Sequence, residues 1–69
     1  MYTVTGRALS GIDFTQKYES AQNAYTIAQS WIGLGFLNVA LREDGGQWHH
    51  GPDEIRQFIE GVQRLGGHA

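Results

Sequence analysis

The sequence contains no cysteine, so neither a disulfide nor a thiolate metal site can reinforce its fold. It also lacks a run of about 18 apolar residues, the length that a membrane-spanning helix needs. Its first residues do not show a basic segment followed by an apolar one, so no secretory signal is recognisable. These absences favour a cytoplasmic protein that does not enter a membrane.

Positive charge is scarce as well. Five Lys and Arg residues stand against seven Asp and Glu, which gives a net charge of −2 with neutral histidines. A generally basic nucleic-acid binder usually shows the opposite excess. At 41% apolar and 17% charged residues, the chain is nevertheless too hydrophobic for intrinsic disorder. We therefore expect a single folded domain over residues 1–69, with a frayed tail at 66–69.

The small size of the domain limits its stability. A chain of 69 residues buries only about 60% of the surface that it exposes when unfolded. With disulfides excluded, such a domain gains stability from very good packing or from self-association that covers a free sheet edge. Homodimerisation is therefore one of two ways in which this fold can be reinforced.

The stretch 20–35 predicts the central element. Its apolar residues recur at the spacing of one helical face, and Ser20 is a good N-cap. Gly33 and Gly35 are each able to end the helix in a left-handed conformation. The apolar face carries small alanines at its start and the bulky Trp31 and Ile32 at its end. We expect these two bulky side chains to point into the core.

Strands and a second helix surround this element. Alternation predicts strands at 2–9, 12–19 and 36–42, and a short fourth strand at 47–50. Pro52 suits the first position of a helix, because its missing N–H costs nothing there. The apolar stripe of this second helix comprises Ile55, Phe58, Ile59, Val62 and Leu65.

The order strand, strand, helix, strand, short strand, helix predicts an α+β fold. We expect a two-layer sandwich in which a mainly antiparallel sheet carries both helices on one face. We favour a sheet in which the first strand lies between the second and the third. The alternative is a sheet in which the second strand is central. In the third strand, alternation places Leu37, Val39 and Leu41 on one face.

The sheet face away from the helices is a candidate binding surface. It is expected to carry Arg7, Lys17 and Arg42, which are three of the five basic residues. Such a face suits phosphates or an acidic protein surface, although an open antiparallel face is commonly polar without any binding role. The predicted face lacks the stacking aromatics of sheet-type RNA binders, which weakens a nucleic-acid interpretation.

Trp48 is a further candidate binding residue, because its side chain is large for a short strand that follows a turn. We favour a position in the core beneath the second helix. The alternative is an exposed ring beside Phe36 or Tyr2, which would mark a partner or dimer surface.

No catalytic or metal-binding set is recognisable in the sequence. His49 and His50 precede Asp53 and Glu54, but adjacent strand residues point to opposite faces, so the two histidines do not share an ion. No serine has the context of a nucleophile elbow, and no motif is specific to a known family.

We therefore predict a protein without enzymatic activity, metal or cofactor. The expected function is that of a small protein-interaction module that self-associates as a homodimer or binds a protein partner, with no membrane contact. The alternative is a nucleic-acid-associated accessory protein that uses Arg7, Lys17 and Arg42.

Overall fold

The computed structural model describes residues 1–64 of the chain. The chain forms, in order, β1 (Tyr2–Arg7), β2 (Asp13–Tyr18), α1 (Ala21–Gly33), β3 (Leu37–Glu43), β4 (His49–His50) and α2 (Gly51–Val62). The strands build one antiparallel sheet in the order β2-β1-β3-β4, against which both helices pack. The predicted α+β class, the element order and the position of the first strand between the second and third are confirmed. Leu65 and the predicted frayed tail at 66–69 lie outside the described residues.

A tight turn joins β1 to β2. The N–H of Gly11 donates to the Ala8 carbonyl at 2.8 Å, and the N–H of Ala8 donates to the Ile12 carbonyl at 2.9 Å. Gly11 has φ +92°, a left-handed conformation that glycine adopts without a steric penalty. A type I turn followed by a left-handed residue is a common three-residue hairpin loop. It sets the register in which Arg7 lies opposite Asp13.

Both ends of α1 follow the predicted signals. The Ser20 hydroxyl accepts a hydrogen bond from the Asn23 N–H at 3.3 Å, so Ser20 is the N-cap. At the other end Gly35 has φ +88°, and its N–H donates to the Ile32 carbonyl at 3.1 Å. Gly35 is thus the left-handed residue that ends the helix, while Gly33 is its last helical residue.

α2 starts at the end of β4. Pro52 lies in its first turn, where Asp53 and Glu54 complement the positive helix end. Ile55 and Ile59 are fully buried and belong to the core cluster that also contains side chains of the sheet. With 13 residues in α1 and 12 in α2, neither helix of residues 1–64 reaches the length and apolar content that crossing a bilayer requires.

The core lies between the two helices and one face of the sheet. Trp31 packs against it and stacks on Phe36, with the ring centroids 5.3 Å apart. A Cβ on Gly6 of β1 would lie 3.1 Å from the Trp31 ring, so a larger residue there would require the indole to shift by a few tenths of an ångström. Ile32 also packs against the core, so the predicted inward direction of both residues is confirmed. The buried core cluster comprises Val4, Ala24, Ala28, Val39, Leu41, Ile55 and Ile59.

β3 contains a bulge that alternation did not predict. Asn38 has φ +56°, and the register with β1 shifts there so that Leu37 lies opposite Arg7. Directly opposite residues place their side chains on the same face, so Leu37 lies on the face away from the helices. The expectation that Leu37 shares a face with Val39 and Leu41 is therefore wrong, because the extra residue of a bulge reverses the alternation.

Candidate interaction site

The sheet face away from the helices, which we call the open face, carries its side chains in cross-strand rows. Thr3 of β1 lies opposite Lys17 of β2 and opposite Arg42 of β3. We call these three residues the basic row. The next row consists of Thr15, Thr5, Ala40 and His50, and the last row of Asp13, Arg7 and Leu37.

The three predicted cations share the open face, but their charges are not equally available. The Arg7 Nε–H donates to Asp13 Oδ1 at 2.8 Å. This hydrogen bond lowers the pKa of the Asp13 carboxyl and raises the pKa of Arg7. Lys17 and Arg42 form no salt bridge with the rest of residues 1–64. Among residues 1–64, the open face therefore offers two positive charges without a salt-bridge partner, one on either side of Thr3.

Trp48 lies on the open face and not beneath α2. The Arg42 guanidinium carbon is 4.8 Å from the centroid of its ring, within the range of a cation–π contact. His49 lies opposite Leu41 and so points toward the helices, where its ring centroid is 4.2 Å from that of Phe58. The core position expected for Trp48 is therefore wrong, because the register of β4 gives that place to His49. The open face therefore carries an aromatic residue, whereas the alternation of the strands predicts none there.

The two adjacent histidines point to opposite faces, as predicted. His50 lies opposite Ala40 on the open face, whereas His49 packs under α2. The backbone N–H of His50 donates to Glu54 Oε1 at 3.3 Å, which ties β4 to the first turn of α2. Within residues 1–64 no three His, Asp or Glu side chains are grouped in a way that would hold a metal ion.

The surface formed by residues 1–64 includes two shallow depressions. One, of about 340 Å³, is lined in part by the Arg7–Asp13 ion pair and by Thr15. The other, of about 370 Å³, lies between the end of α1 and the start of α2. Among residues 1–64, His50 is the one titratable residue that lines the second depression.

The two edges of the sheet are built differently. β4 has two residues and runs directly into α2 at Gly51. β2 has six residues, and every residue from Asp13 through Lys17 is exposed. Within residues 1–64 no further strand pairs with β2 on its outer side. A long backbone edge is therefore free to bond.

The hydrogen-bond pattern identifies the free backbone groups of this edge. Along an antiparallel ladder, bonded and non-bonded residue pairs alternate. The hydrogen bond from the Ala8 N–H to the Ile12 carbonyl starts the bonded series at that pair. Every second residue of β2 from Ile12 onward then bonds to β1. The backbone groups that point to the free edge are those of Asp13, Thr15 and Lys17.

Apolar side chains border the same edge on the helix side. Phe14 is 39% exposed although its ring packs against Phe36 and Trp31, with centroids 5.8 and 6.3 Å apart. Ile12, at the start of the strand, is 58% exposed. The free backbone groups therefore lie beside partly uncovered apolar surface.

Comparison with protein-family models, with curated proteins and with solved structures finds no match for this chain. The candidate site is accordingly defined by the geometry of the chain's own residues: the free edge of β2, the basic row and Trp48.

Proposed function

We propose that this chain is a non-enzymatic protein-interaction module whose contact element is the free edge of β2. The observation that carries the proposal is the outward direction of three backbone N–H and C=O pairs along an exposed six-residue strand. A strand from a partner protein that bonds to this edge would satisfy these groups and extend the sheet. Main-chain hydrogen bonds supply the affinity in this mode, so no deep pocket is needed.

β2 lacks most of the features that commonly protect a sheet edge, and this supports the role. Natural sheets protect long edges with prolines, bulges, very short strands or charged side chains, and of these β2 has only the charged Asp13 and Lys17. β4 is short and is followed at once by Gly51 and Pro52. β2 has no proline, and its register with β1 is unbroken over all six residues. An edge of this length and regularity is a template for another strand.

Thr15→Pro tests the proposal. The substitution removes an N–H that faces the free edge but leaves the hydrogen bonds between β2 and β1, so the domain stays folded. We expect the full chain with this change to lose concentration-dependent association in sedimentation velocity, and to lose retention of any protein that the wild-type chain captures from extract. The far-UV spectrum and the unfolding midpoint should stay close to those of the wild type.

Gln57→Ala is the control, because Gln57 is exposed on α2 and lies outside the candidate site. This variant should associate as the wild type does. The proposal is wrong if Thr15→Pro associates normally, if Gln57→Ala alone abolishes association, or if the wild-type chain neither self-associates nor retains a partner.

A nucleic-acid-associated role is the second candidate, favoured by the position of Trp48. The ring lies beside Arg42 at one end of the basic row, with Lys17 at the other end. Two cations are suited to contact phosphates, and an aromatic ring next to them is suited to stack on a base. Arg7 contributes less than the sequence predicts, because Asp13 already neutralises it.

Titration with single-stranded and duplex oligonucleotides at low salt tests this second role. If two phosphates are neutralised, log K for a single strand should fall with log salt at a slope of roughly −1.4. Binding should disappear in the Lys17→Ala/Arg42→Ala double variant and persist in Arg56→Ala, a control on the exposed side of α2. Affinity that is independent of salt, or that survives the double substitution, excludes the role.

A further inference from the structure

We propose that the partner at the β2 edge is a second copy of this chain, paired antiparallel with Thr15 opposite Thr15 of the other copy. The inference rests on the proposed function of this edge and names the partner. It follows from three features of β2: the direction of its backbone groups, the placement of its charges and the exposure of its apolar side chains.

Backbone bonding restricts the register of such a pair. Only Asp13, Thr15 and Lys17 direct their N–H and C=O groups outward, so the bonded pairs across the interface must come from these residues. In a two-fold dimer the contact of one residue with another occurs twice. With Thr15 on the axis, Asp13 pairs with Lys17 of the second copy, Lys17 pairs with Asp13, and all three residues are used.

Other registers with correct backbone direction are less favourable. A shift by two residues in one direction places Asp13 opposite Glu19 of the second copy, and these are two acids. A shift in the other direction places Lys17 opposite Gly11, which belongs to the β1–β2 turn. Like charges directly opposite one another destabilise a strand pair. The register centred on Thr15 is therefore selected by both strand length and charge.

Charge complementarity supports the centred register directly. Opposite charges at directly opposed positions stabilise an antiparallel pair, and two-fold symmetry provides the contact between Asp13 and Lys17 twice. Asp13 would then lie between Arg7 of its own chain and Lys17 of the second copy. The joined open face would alternate positive, negative and positive across the interface.

The apolar side chains on the helix side fit the same register. Ile12 would lie opposite Tyr18 of the second copy, and Phe14 opposite Gln16. These pairs would cover part of Ile12 and Phe14, which are 58% and 39% exposed in the single chain. The two four-stranded sheets would join into one, and the axis perpendicular to the sheet would keep all helices on one side.

Single-cysteine variants test the register, because the natural chain contains no cysteine. Bonded antiparallel residues have Cα atoms about 5.5 Å apart, so two Thr15→Cys side chains on the axis should be joined rapidly by a short bis-maleimide. Gln57→Cys, exposed on α2, is the control and should stay monomeric on a denaturing gel at the same concentration.

A charge exchange tests the pairing of Asp13 with Lys17. Lys17→Asp places two acids opposite each other at both contacts, and Asp13→Lys places two cations there. We expect each variant alone to dissociate at a concentration at least roughly tenfold higher than the wild type. An equimolar mixture should associate again as a heterodimer, because every contact then joins opposite charges.

The outcomes separate the identity of the partner from the use of the edge. Recovery of association on mixing, together with cross-linking through Thr15→Cys, supports the second copy in this register. A wild-type dimer that Thr15→Cys does not cross-link, or variants that do not recover on mixing, overturns it. A monomeric wild type that retains another protein, and loses it in Thr15→Pro, overturns the second copy but keeps the edge proposal. A monomer without any edge-dependent partner overturns both.

Discussion

The two edges of this sheet show two ways of ending a β-structure. At β4 the chain pairs for only two residues and then turns into α2, whose Glu54 accepts the hydrogen bond from the His50 N–H. At β2 the pairing continues for six residues, and the outer backbone groups meet no partner within residues 1–64. The difference shows that an edge strand leaves few backbone groups unbonded where a helix follows it at once. The outer N–H and C=O groups of a long edge strand must instead bond to another chain or to water.

The same contrast extends to the side chains. Near β4 the core is closed, since Ile55 and Ile59 are buried and His49 stacks on Phe58. Near β2 the aromatic contacts of Phe14 leave more than a third of the residue exposed. The side of the molecule that ends in β2 thus leaves more apolar surface and more backbone groups uncovered than the side that ends in β4. Four predictions test this comparison.

The largest expected effect comes from substituting alanine for an apolar residue on each of the two sides. Leu41→Ala removes a fully buried side chain from an interior strand and should lower the free energy of unfolding by about 2–5 kcal/mol. Phe14→Ala removes a partly exposed ring at the edge and should cost roughly 1–2 kcal/mol. Urea denaturation at low protein concentration measures both values. Equal losses would contradict the difference between the closed side and the open edge.

Proline at two adjacent positions of β2 should distinguish its inner and outer backbone groups. Gln16→Pro removes an N–H that bonds to Val4 in the ladder and leaves a buried carbonyl unpaired, at a cost of about 1–3 kcal/mol. The N–H of Thr15 points outward, so Thr15→Pro removes no hydrogen bond of the ladder and should cost clearly less stability than Gln16→Pro. Thermal unfolding of the two variants compares them. If Thr15→Pro is the less stable one, the assigned direction of the edge groups is reversed.

Glycine-to-alanine substitutions at the two ends of α2 should change the stability of the fold in opposite directions. Gly51 has φ +82° at the junction with β4, so Gly51→Ala should destabilise the fold by roughly 1–2 kcal/mol. Gly61 lies in the helix with nothing within 4 Å of an added Cβ, so Gly61→Ala should stabilise it by roughly 0.5–1 kcal/mol. The midpoints of urea denaturation measure both changes in stability. A neutral Gly51→Ala would show that the tight junction does not depend on this conformation.

The smallest effect concerns pH. The pKa of Asp13 is lowered by its hydrogen bond with Arg7, the basic group that faces it from β1. The ionised Asp13 carboxylate therefore adds to the free energy of unfolding above the unfolded-state pKa of about 4. This stabilisation is lost as the pH falls through the lower pKa of the folded state. Stability should decline slightly more below pH 4 in the wild type than in Asp13→Asn, as measured by urea midpoints. Identical pH profiles would show that this exposed pair contributes nothing.

Much of this fold was predictable from local signals. Ser20 and Gly35 fix the ends of α1 through backbone chemistry that depends on the residue itself. Alternation in the first two strands correctly placed Arg7 and Lys17 on the open face, because their register has no irregularity. The site is less predictable. The sequence favours a core position for Trp48, and no local signal distinguishes the edge residue Thr15 from other polar strand residues.

The sequence by itself determined the order of elements, the two ends of α1 and the separation of most apolar from basic side chains on the sheet. Only the tertiary structure decided which side chain of the Trp48-His49 pair lies under α2, where Asn38 reverses the alternation of β3, and which backbone groups of β2 remain free. The physical reason is that caps, turns and alternation are properties of neighbouring residues. Register is different, because it is set by hydrogen bonds between segments far apart in the chain.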